Sequence, residues 1–292
     1  MTPEVERAAG LIRAGRLVAF PTETVYGLGA NALDAAAVER IFDAKRRPRT
    51  SPLIVHVASI EKARDLSSLW PETAERLAAH YWPGPLTLVV PKQPRIPDIV
   101  TAGLPTVALR MPAHPIALEL LRAAGVPIAA PSANRFTELS PTAAAHIPHE
   151  LADYTLDGGP ARVGIESTVL SLVDAPLLLR PGIIPVTELE ALIGPIRQGS
   201  TPAEGGHASP GMHARHYRPS TPMYLDTVER PGRGKLLRLG YEMPADPAGF
   251  AAALYDTLHR LDAEHLEWIV IEPPPDTPEW AGVLDRLRRA VA

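Results

Sequence analysis

The chain has 292 residues, with 29 Lys and Arg against 33 Asp and Glu, a formal net charge of -4 and an apolar fraction of 46%. At about 150 residues per domain this allows one large domain, or a large one with a small companion. The apolar content is that of a packed core, and the slightly acidic balance excludes a general nucleic-acid coat.

Cysteine is absent, which removes disulfides, thiolate nucleophiles and Cys-based zinc sites. No apolar run approaches the ~18 residues that span a bilayer. The start, Met1 to Arg7, is acidic and amphipathic, unlike a signal peptide. The expected setting is cytoplasmic. Proline is abundant: 33 residues, about 11% against about 5% on average. Many prolines follow apolar runs, as at Pro21, Pro91, Pro112, Pro131 and Pro181. There they stop a strand and stiffen the loop beyond it.

In chain order, Pro3 to Ala14 has helical apolar spacing and ends at Gly15. Leu17 to Phe20 is a short strand entering the polar segment Pro21 to Gly29. Asp34 is placed to cap a helix reaching about Ala44. The basic run Lys45-Arg46-Arg47-Pro48-Arg49 follows. Leu53 to Val57, Leu86 to Val90, Val107 to Arg110, Pro127 to Ala130, Thr168 to Val173 and Leu177 to Arg180 read as strands. Thr73 to His80, Pro115 to Ala124 and Pro141 to Ala145 read as helices. Asp174-Ala175-Pro176 is too short for a crossover and makes the last strand pair a hairpin.

The pattern predicts an α/β fold with a twisted, mixed parallel and antiparallel sheet over residues 1–194. Residues 195–220 carry many breakers and no apolar period, so they read as a linker or lid. Residues 221–292 form a small C-terminal α/β domain, with strands at Leu236 to Leu239 and Trp268 to Ile271. Its helices fall at Pro247 to Leu261 and Trp280 to Val291.

Several segments could carry chemistry, and each has a plainer reading. The run Lys45 to Arg49 is either a solvated basic loop or a polyphosphate clamp, with Lys as point charge and Arg as bidentate fork. Its position between a helix end and a buried strand, stiffened by Pro48 and Pro52, favours the clamp. Pro21 to Gly29 offers hydroxyls, a carboxylate and a phenol, yet lacks the Gly-Lys-Ser/Thr ending of a Walker loop. Pro131-Ser132-Ala133-Asn134 follows a strand, where open α/β sheets take ligands, but is also a common turn sequence. Period two puts His56 on one strand face with Ile54, opposite Leu53, Val55 and Val57. The pairs His146/His149 and His213/His216 lack a third ligand at convincing spacing, so no structural metal is expected. Gly164 to Thr168 enters a strand with hydroxyls at its start, and Ser209 to Tyr217 is unusually rich in polar and aromatic groups for a linker.

Taken together, these segments resemble the YrdC-type threonylcarbamoyl-AMP synthases. The resemblance lies in Lys45-x-Arg47 with Ser132-x-Asn134, and in Pro21 to Leu28, Ser51 to Val57, Trp82 to Thr87 and Glu166 to Val169. Ser209-Pro210-Gly211-Met212 and His216-Tyr217 resemble the linker of the longer, two-domain members. The match covers nearly the whole chain, and motifs in the right order are far more specific than any one alone.

The resemblance implies a YrdC-like catalytic domain with a small Rossmann-like C-terminal domain. It implies a nucleotidyltransferase that makes threonylcarbamoyl-AMP and pyrophosphate from L-threonine, bicarbonate and ATP with Mg²⁺. The product would pass to a separate tRNA threonylcarbamoyl transferase machinery that modifies adenosine next to the anticodon, with no stable tRNA binding required. Lys45 and Arg47 are the expected catalytic cations. Arg47, Ser51, Thr106, Ser132, Asn134, Ser140, Arg180 and Tyr217 are expected at ATP; Thr24, His56, Arg110, Ala130 and Ser167 at threonine. Two departures stand out. Phe136-Thr137 replaces a Ser-Gly pair common in the family, and Ala214 replaces an aromatic. Two other readings are an RNA-binding module on the same fold and a related carbamoyl-transferring enzyme. The net charge opposes the first, and the lack of cysteine opposes the zinc-finger-bearing form of the second.

Overall fold

The computed structural model describes residues 1–199 and 216–291. Chain order runs α1 (Pro3–Arg13), β1 (Val18–Phe20), β2 (Gly27–Asn31), α2 (Ala35–Lys45), β3 (Ile54–His56), α3 (Ile60–Leu66) and α4 (Glu72–Tyr81). It continues with β4 (Leu86–Pro91), α5 (Asp98–Thr101), β5 (Thr106–Arg110), α6 (Pro115–Ala124), β6 (Ile128–Ala129), β7 (Tyr154–Thr155), β8 (Thr168–Ser171), β9 (Leu177–Arg180), α7 (Val186–Ile193) and β10 (Arg197–Gln198). Then come β11 (Met223–Leu225), β12 (Gly234–Leu237), α8 (Pro247–Asp262), β13 (Trp268–Ile271) and α9 (Ala281–Val291).

The first seventeen elements build a ten-stranded mixed sheet in the order β10-β9-β8-β4-β5-β3-β6-β2-β1-β7. The pairs β3–β5 and β4–β8 are parallel, whereas β1–β2, β3–β6, β4–β5 and β8–β9 are antiparallel. A separate three-stranded parallel sheet, β11-β13-β12, carries α8 and α9. The fold is thus the expected mixed α/β sheet with a small parallel α/β unit after it.

Local chemistry explains most elements. Asp34 caps α2 by accepting from Ala36 and Ala37 N–H, as its residue type favours. Pro115 opens α6 and Gly125 ends it at φ 68°. Alternation along β3 sends Leu53, Val55 and Val57 into the main core and leaves Ile54 and His56 on the other face.

Some expectations were incomplete. Gly27 to Gly29, read as the end of a polar loop, open β2 (Gly27–Asn31). Its glycines are required by packing: a Cβ on Gly29 would stand 2.8 Å from both Ile128 Cγ2 and Phe20 Cε1. The helix expected over Pro141 to Ala145 reduces to a 3-10 turn at Ala144–His146. There the Pro141 carbonyl accepts Tyr26 N–H, a partner distant in sequence. The linker expected from 195 begins with β10, paired to β9. Ser209-Pro210-Gly211-Met212 and Ala214 lie outside the described residues.

Candidate active site

Strand ends and loops converge on one small cavity of about 50 Å³. The turn after β1 supplies Thr22 and Thr24; β3 supplies Ile54 and His56; β5 ends in Arg110. The loop after β6 supplies Ala130 and Ser132, and the entry to β8 supplies Glu166 and Ser167. Arg180 ends β9, Arg47 follows α2, and His216 and Tyr217 come from beyond the undescribed segment. Larger hollows exist elsewhere, of about 650 Å³ beside β9 and α9 and about 420 Å³ beside α3 and α6. Neither gathers so many buried polar groups, so volume does not locate the chemistry.

The loop Pro131 to Asn134 is fastened to β2. Leu28 N–H donates to the Pro131 carbonyl and Ala133 N–H to the Tyr26 carbonyl, both at 2.8 Å. From behind, Lys45 Nζ donates to the carbonyls of Ser132, at 2.7 Å, and Asn134. Lys45 is 2% exposed and does not line the cavity. Burial, reinforced by Arg47, holds its ammonium well below the usual lysine range. The basic run therefore splits. Arg47 is buried in the cavity wall, Arg46 is exposed, and Arg49 pairs with Glu39 and Asp43 on the surface.

Arg110 is fixed on both sides. Its Nη2 donates to Glu23 Oε1 at 2.7 Å, and its Nε to the Gly84 carbonyl at 3.3 Å. Glu23 Oε2 accepts Ala113 N–H at 2.9 Å. Arg180 donates through Nε and Nη2 to the Ser167 carbonyl. The Ser167 hydroxyl lies 2.7 Å from that of Thr87. Ser140 Oγ donates to Glu166 Oε1 at 2.6 Å.

Several buried polar atoms find no partner among the described residues: Arg47 Nε, His56 Nδ1, Asn134 Oδ1 and Tyr217 Oη. Such atoms are costly unless something else completes them. Arg47, His56 and Tyr217 face the same cavity. Burial, with Arg110 nearby, pushes His56 down to about 3, so its ring is neutral near pH 7. Burial lowers Arg47 to about 10 and raises Tyr217 to about 12. Burial also works to raise Glu166, but Arg286 and Arg180 outweigh it and leave the carboxylate ionised.

The cavity thus gathers Thr24, Arg47, His56, Arg110, Ala130, Ser132, Ser167, Arg180 and Tyr217. Ser140 and Asn134 lie just behind the wall, through Glu166 and the Lys45-bound loop. Ser51 is fully buried in the loop after Arg47, and Thr106 opens β5 opposite Pro91, at the other strand end from Arg110. Sequence reasoning assigned no role to Glu23, Glu166 or Thr87, although each stood inside a quoted motif. Arg286 had no local signal at all.

The Phe136-Thr137 departure has a physical setting. Thr137 takes φ 74°, a region glycine enters freely and a β-branched residue does not. Its carbonyl accepts Arg218 N–H, and the Phe136 ring packs edge-on to His216 at 5.8 Å. Among the described residues, no three His, Cys, Asp or Glu side chains gather as metal ligands, and no helix is long and apolar enough to cross a membrane.

Comparison with known proteins agrees with this architecture. Residues 10–182 match the Sua5/YciO/YrdC family model described as "Telomere recombination", and residues 184–292 match the one described as "Threonylcarbamoyl-AMP synthase, C-terminal domain". The threonylcarbamoyl-AMP synthase of Bacillus subtilis is 42% identical over 325 aligned residues, covering 99% of this chain and 93% of that protein. The synthase of Pyrococcus abyssi is 52% identical over 244 residues, covering 80% of this chain and 70% of that protein. The crystal structure of P. abyssi Sua5 complexed with L-threonine superposes with a TM-score of 0.93 at 41% identity, covering 98% of this chain and 94% of that one. The chain belongs to the Sua5/YciO/YrdC family, in its two-domain form, and is an enzyme of that family.

Proposed function

We propose that this chain is an L-threonylcarbamoyladenylate synthase. It converts L-threonine, bicarbonate and ATP into threonylcarbamoyl-AMP, pyrophosphate and water. The observation that carries this is the cavity itself: buried guanidinium groups, a neutral histidine and hydroxyls share one wall, with Arg47 Nε, His56 Nδ1 and Tyr217 Oη lacking partners among the described residues. That wall suits two anionic reactants, an amino-acid carboxylate and a polyphosphate.

Threonine's amine adds to bicarbonate-derived carbon to give a carbamate. A carbamate oxygen then attacks the α-phosphorus, and pyrophosphate leaves; such a nucleotidyl transfer needs alignment and charge neutralisation more than a protein nucleophile. Arg110, held flat by Glu23 and Gly84, is the fork for the threonine carboxylate. Thr24, His56, the Ala130 backbone and Ser167 complete the amino-acid side. Neutral His56 adds a polar contact without competing for the carboxylate. Arg47, Arg180, Ser132 and Tyr217 face the nucleotide, with Ser51, Thr106, Asn134 and Ser140 as its outer contacts. Lys45 acts with Arg47 by fixing the Ser132 and Asn134 carbonyls from behind the loop.

The carboxylates near the cavity are engaged: Glu23 by Arg110 and Ala113, Glu166 by Arg286 and Ser140. The described residues therefore offer no cation cage there, and Mg²⁺ would enter as the counter-ion of substrate ATP. We divide the chain into a catalytic unit over 1–194, a linker over 195–220 and a C-terminal unit over 221–292. The compartment is the cytoplasm, where the product passes to the tRNA threonylcarbamoyl transferase machinery without this chain holding tRNA. Pyrophosphate release tests the reading: it should require threonine and bicarbonate together with ATP. Release at the same rate without threonine would contradict it.

A further inference from the structure

Glu166, the carboxylate of the cavity wall, is held by residues more than eighty positions later in the chain. Its Oε2 accepts from Arg286 Nε at 2.8 Å and from Tyr255 Oη at 3.3 Å, and its backbone carbonyl accepts Arg286 Nη2 at 3.0 Å. Arg286 sits on α9, is 1% exposed, and also donates to the Pro181 carbonyl at 2.5 Å. Its guanidinium carbon lies 5.5 Å from the Tyr217 ring centroid.

The two helices reach these loops because glycine permits it. A Cβ on Gly282 of α9 would stand 2.3 Å from the Gly182 carbonyl oxygen, and one on Gly164 would stand 2.2 Å from the Ala251 oxygen of α8. The C-terminal unit therefore grips the chain just before β8 and just after β9. Glu166 and Ser167 lie between these grips.

A buried ion pair is a poor device for docking alone, since apolar residues of the same volume dock at lower desolvation cost. The charges here answer a different need. A carboxylate in a wall that receives a polyphosphate would repel it, and at low effective dielectric that repulsion is large. Arg286 supplies the compensating charge and leaves Glu166 oriented on Ser140.

We propose that Arg286, seconded by Tyr255, is a positioning residue for the nucleotide. It neutralises Glu166 and fixes the Glu166–Ser140 contact, so the nucleotide side of the site is complete only with the C-terminal unit in place. This rests on the synthase reading above.

The test is steady-state kinetics of the full chain, with ATP and threonine varied separately, on Arg286→Met, Arg286→Lys, Tyr255→Phe and the double variant Glu166→Gln/Arg286→Met. Arg286→Met should raise the ATP KM on the order of tenfold or more, with the threonine KM moving less than about twofold. The double variant, with Glu166 uncharged and Asp285 still paired with Arg289, should recover most of the ATP KM. A lower melting temperature with an unchanged ATP KM, or a double variant no better than the single one, would overturn the proposal. If Arg286→Met does not fold, Tyr255→Phe decides: a selective rise in ATP KM supports the proposal and an unchanged value refutes it, while Arg286→Lys, which keeps the charge, should stay nearer the wild type. A wild-type chain that binds ATP but forms no threonylcarbamoyl-AMP overturns the synthase reading instead. ATP affinity across the same variants, measured by calorimetry, then decides this one.

Discussion

The Glu23→Gln substitution probes the amino-acid side of the site most sharply. Glu23 and Arg110 are each 4% exposed and meet at 2.7 Å. At an effective dielectric of about 20, unit charges at that separation attract by about 6 kcal/mol. Removing one charge also relieves its desolvation, so the net loss for breaking such a pair is nearer 3 kcal/mol. Glutamine keeps the shape but has one acceptor oxygen. Glu23 uses both of its own, for Arg110 Nη2 and Ala113 N–H, so one of these bonds is always lost. Urea denaturation should show a loss of about 3 kcal/mol, and the threonine KM should rise roughly tenfold as Arg110 loses its fixed orientation. The variant should also be stabilised less by a given threonine concentration than the wild type is, because its affinity for the ligand is lower. A variant within about 1 kcal/mol of wild type, with an unchanged threonine KM, would refute the reasoning.

Three further outcomes follow from the same geometry. Lys45→Met leaves the Ser132 and Asn134 carbonyls without their ammonium donor. It should cost about 2 kcal/mol in denaturation and raise the ATP KM, and an unaltered ATP KM would separate Lys45 from the loop it holds. Tyr217→Phe removes a buried hydroxyl with no partner among the described residues, so stability should stay within about 0.5 kcal/mol while the ATP KM rises. A melt lowered by several degrees would instead assign that hydroxyl a structural bond. Acid should destabilise the fold. Burial depresses His56 to about 3, and burial with His146 beside it depresses His259 to about 4. The unfolded chain, with histidines near 6.5, binds more protons below that pH, so stability is full at pH 7.5 and falls as pH drops. The two groups together should cost about 4 kcal/mol by pH 5 in denaturant titrations, and a flat profile would contradict the burial of both rings.

Strand periodicity and strand-end loops marked segments of the candidate site, whereas the roles of single residues came from the family resemblance. Alternation around His56 separated the core face from the cavity face, and Pro131 to Asn134 sat where a strand releases a ligand loop. What resisted reading depends on partners distant in sequence. Strand β2 has no β-branched residue, and its glycines make sense only against Phe20 and Ile128. The two-residue strands β7 and β10 exist through pairing with β1 and β9 rather than through propensity. The basic run looked uniform, yet the C-cap of α2 at Arg46, with φ 53°, turns Lys45 and Arg47 inward and leaves Arg46 and Arg49 outside. Arg286 lay in what read as an ordinary amphipathic helix; its partner Glu166 is 120 residues away.

The most direct measurement is mass detection of threonylcarbamoyl-AMP from purified full-length chain, with threonine, bicarbonate and ATP each omitted in turn. The account predicts the product in the complete mixture and its loss at every omission. A complete mixture that consumes ATP without forming threonylcarbamoyl-AMP would contradict it.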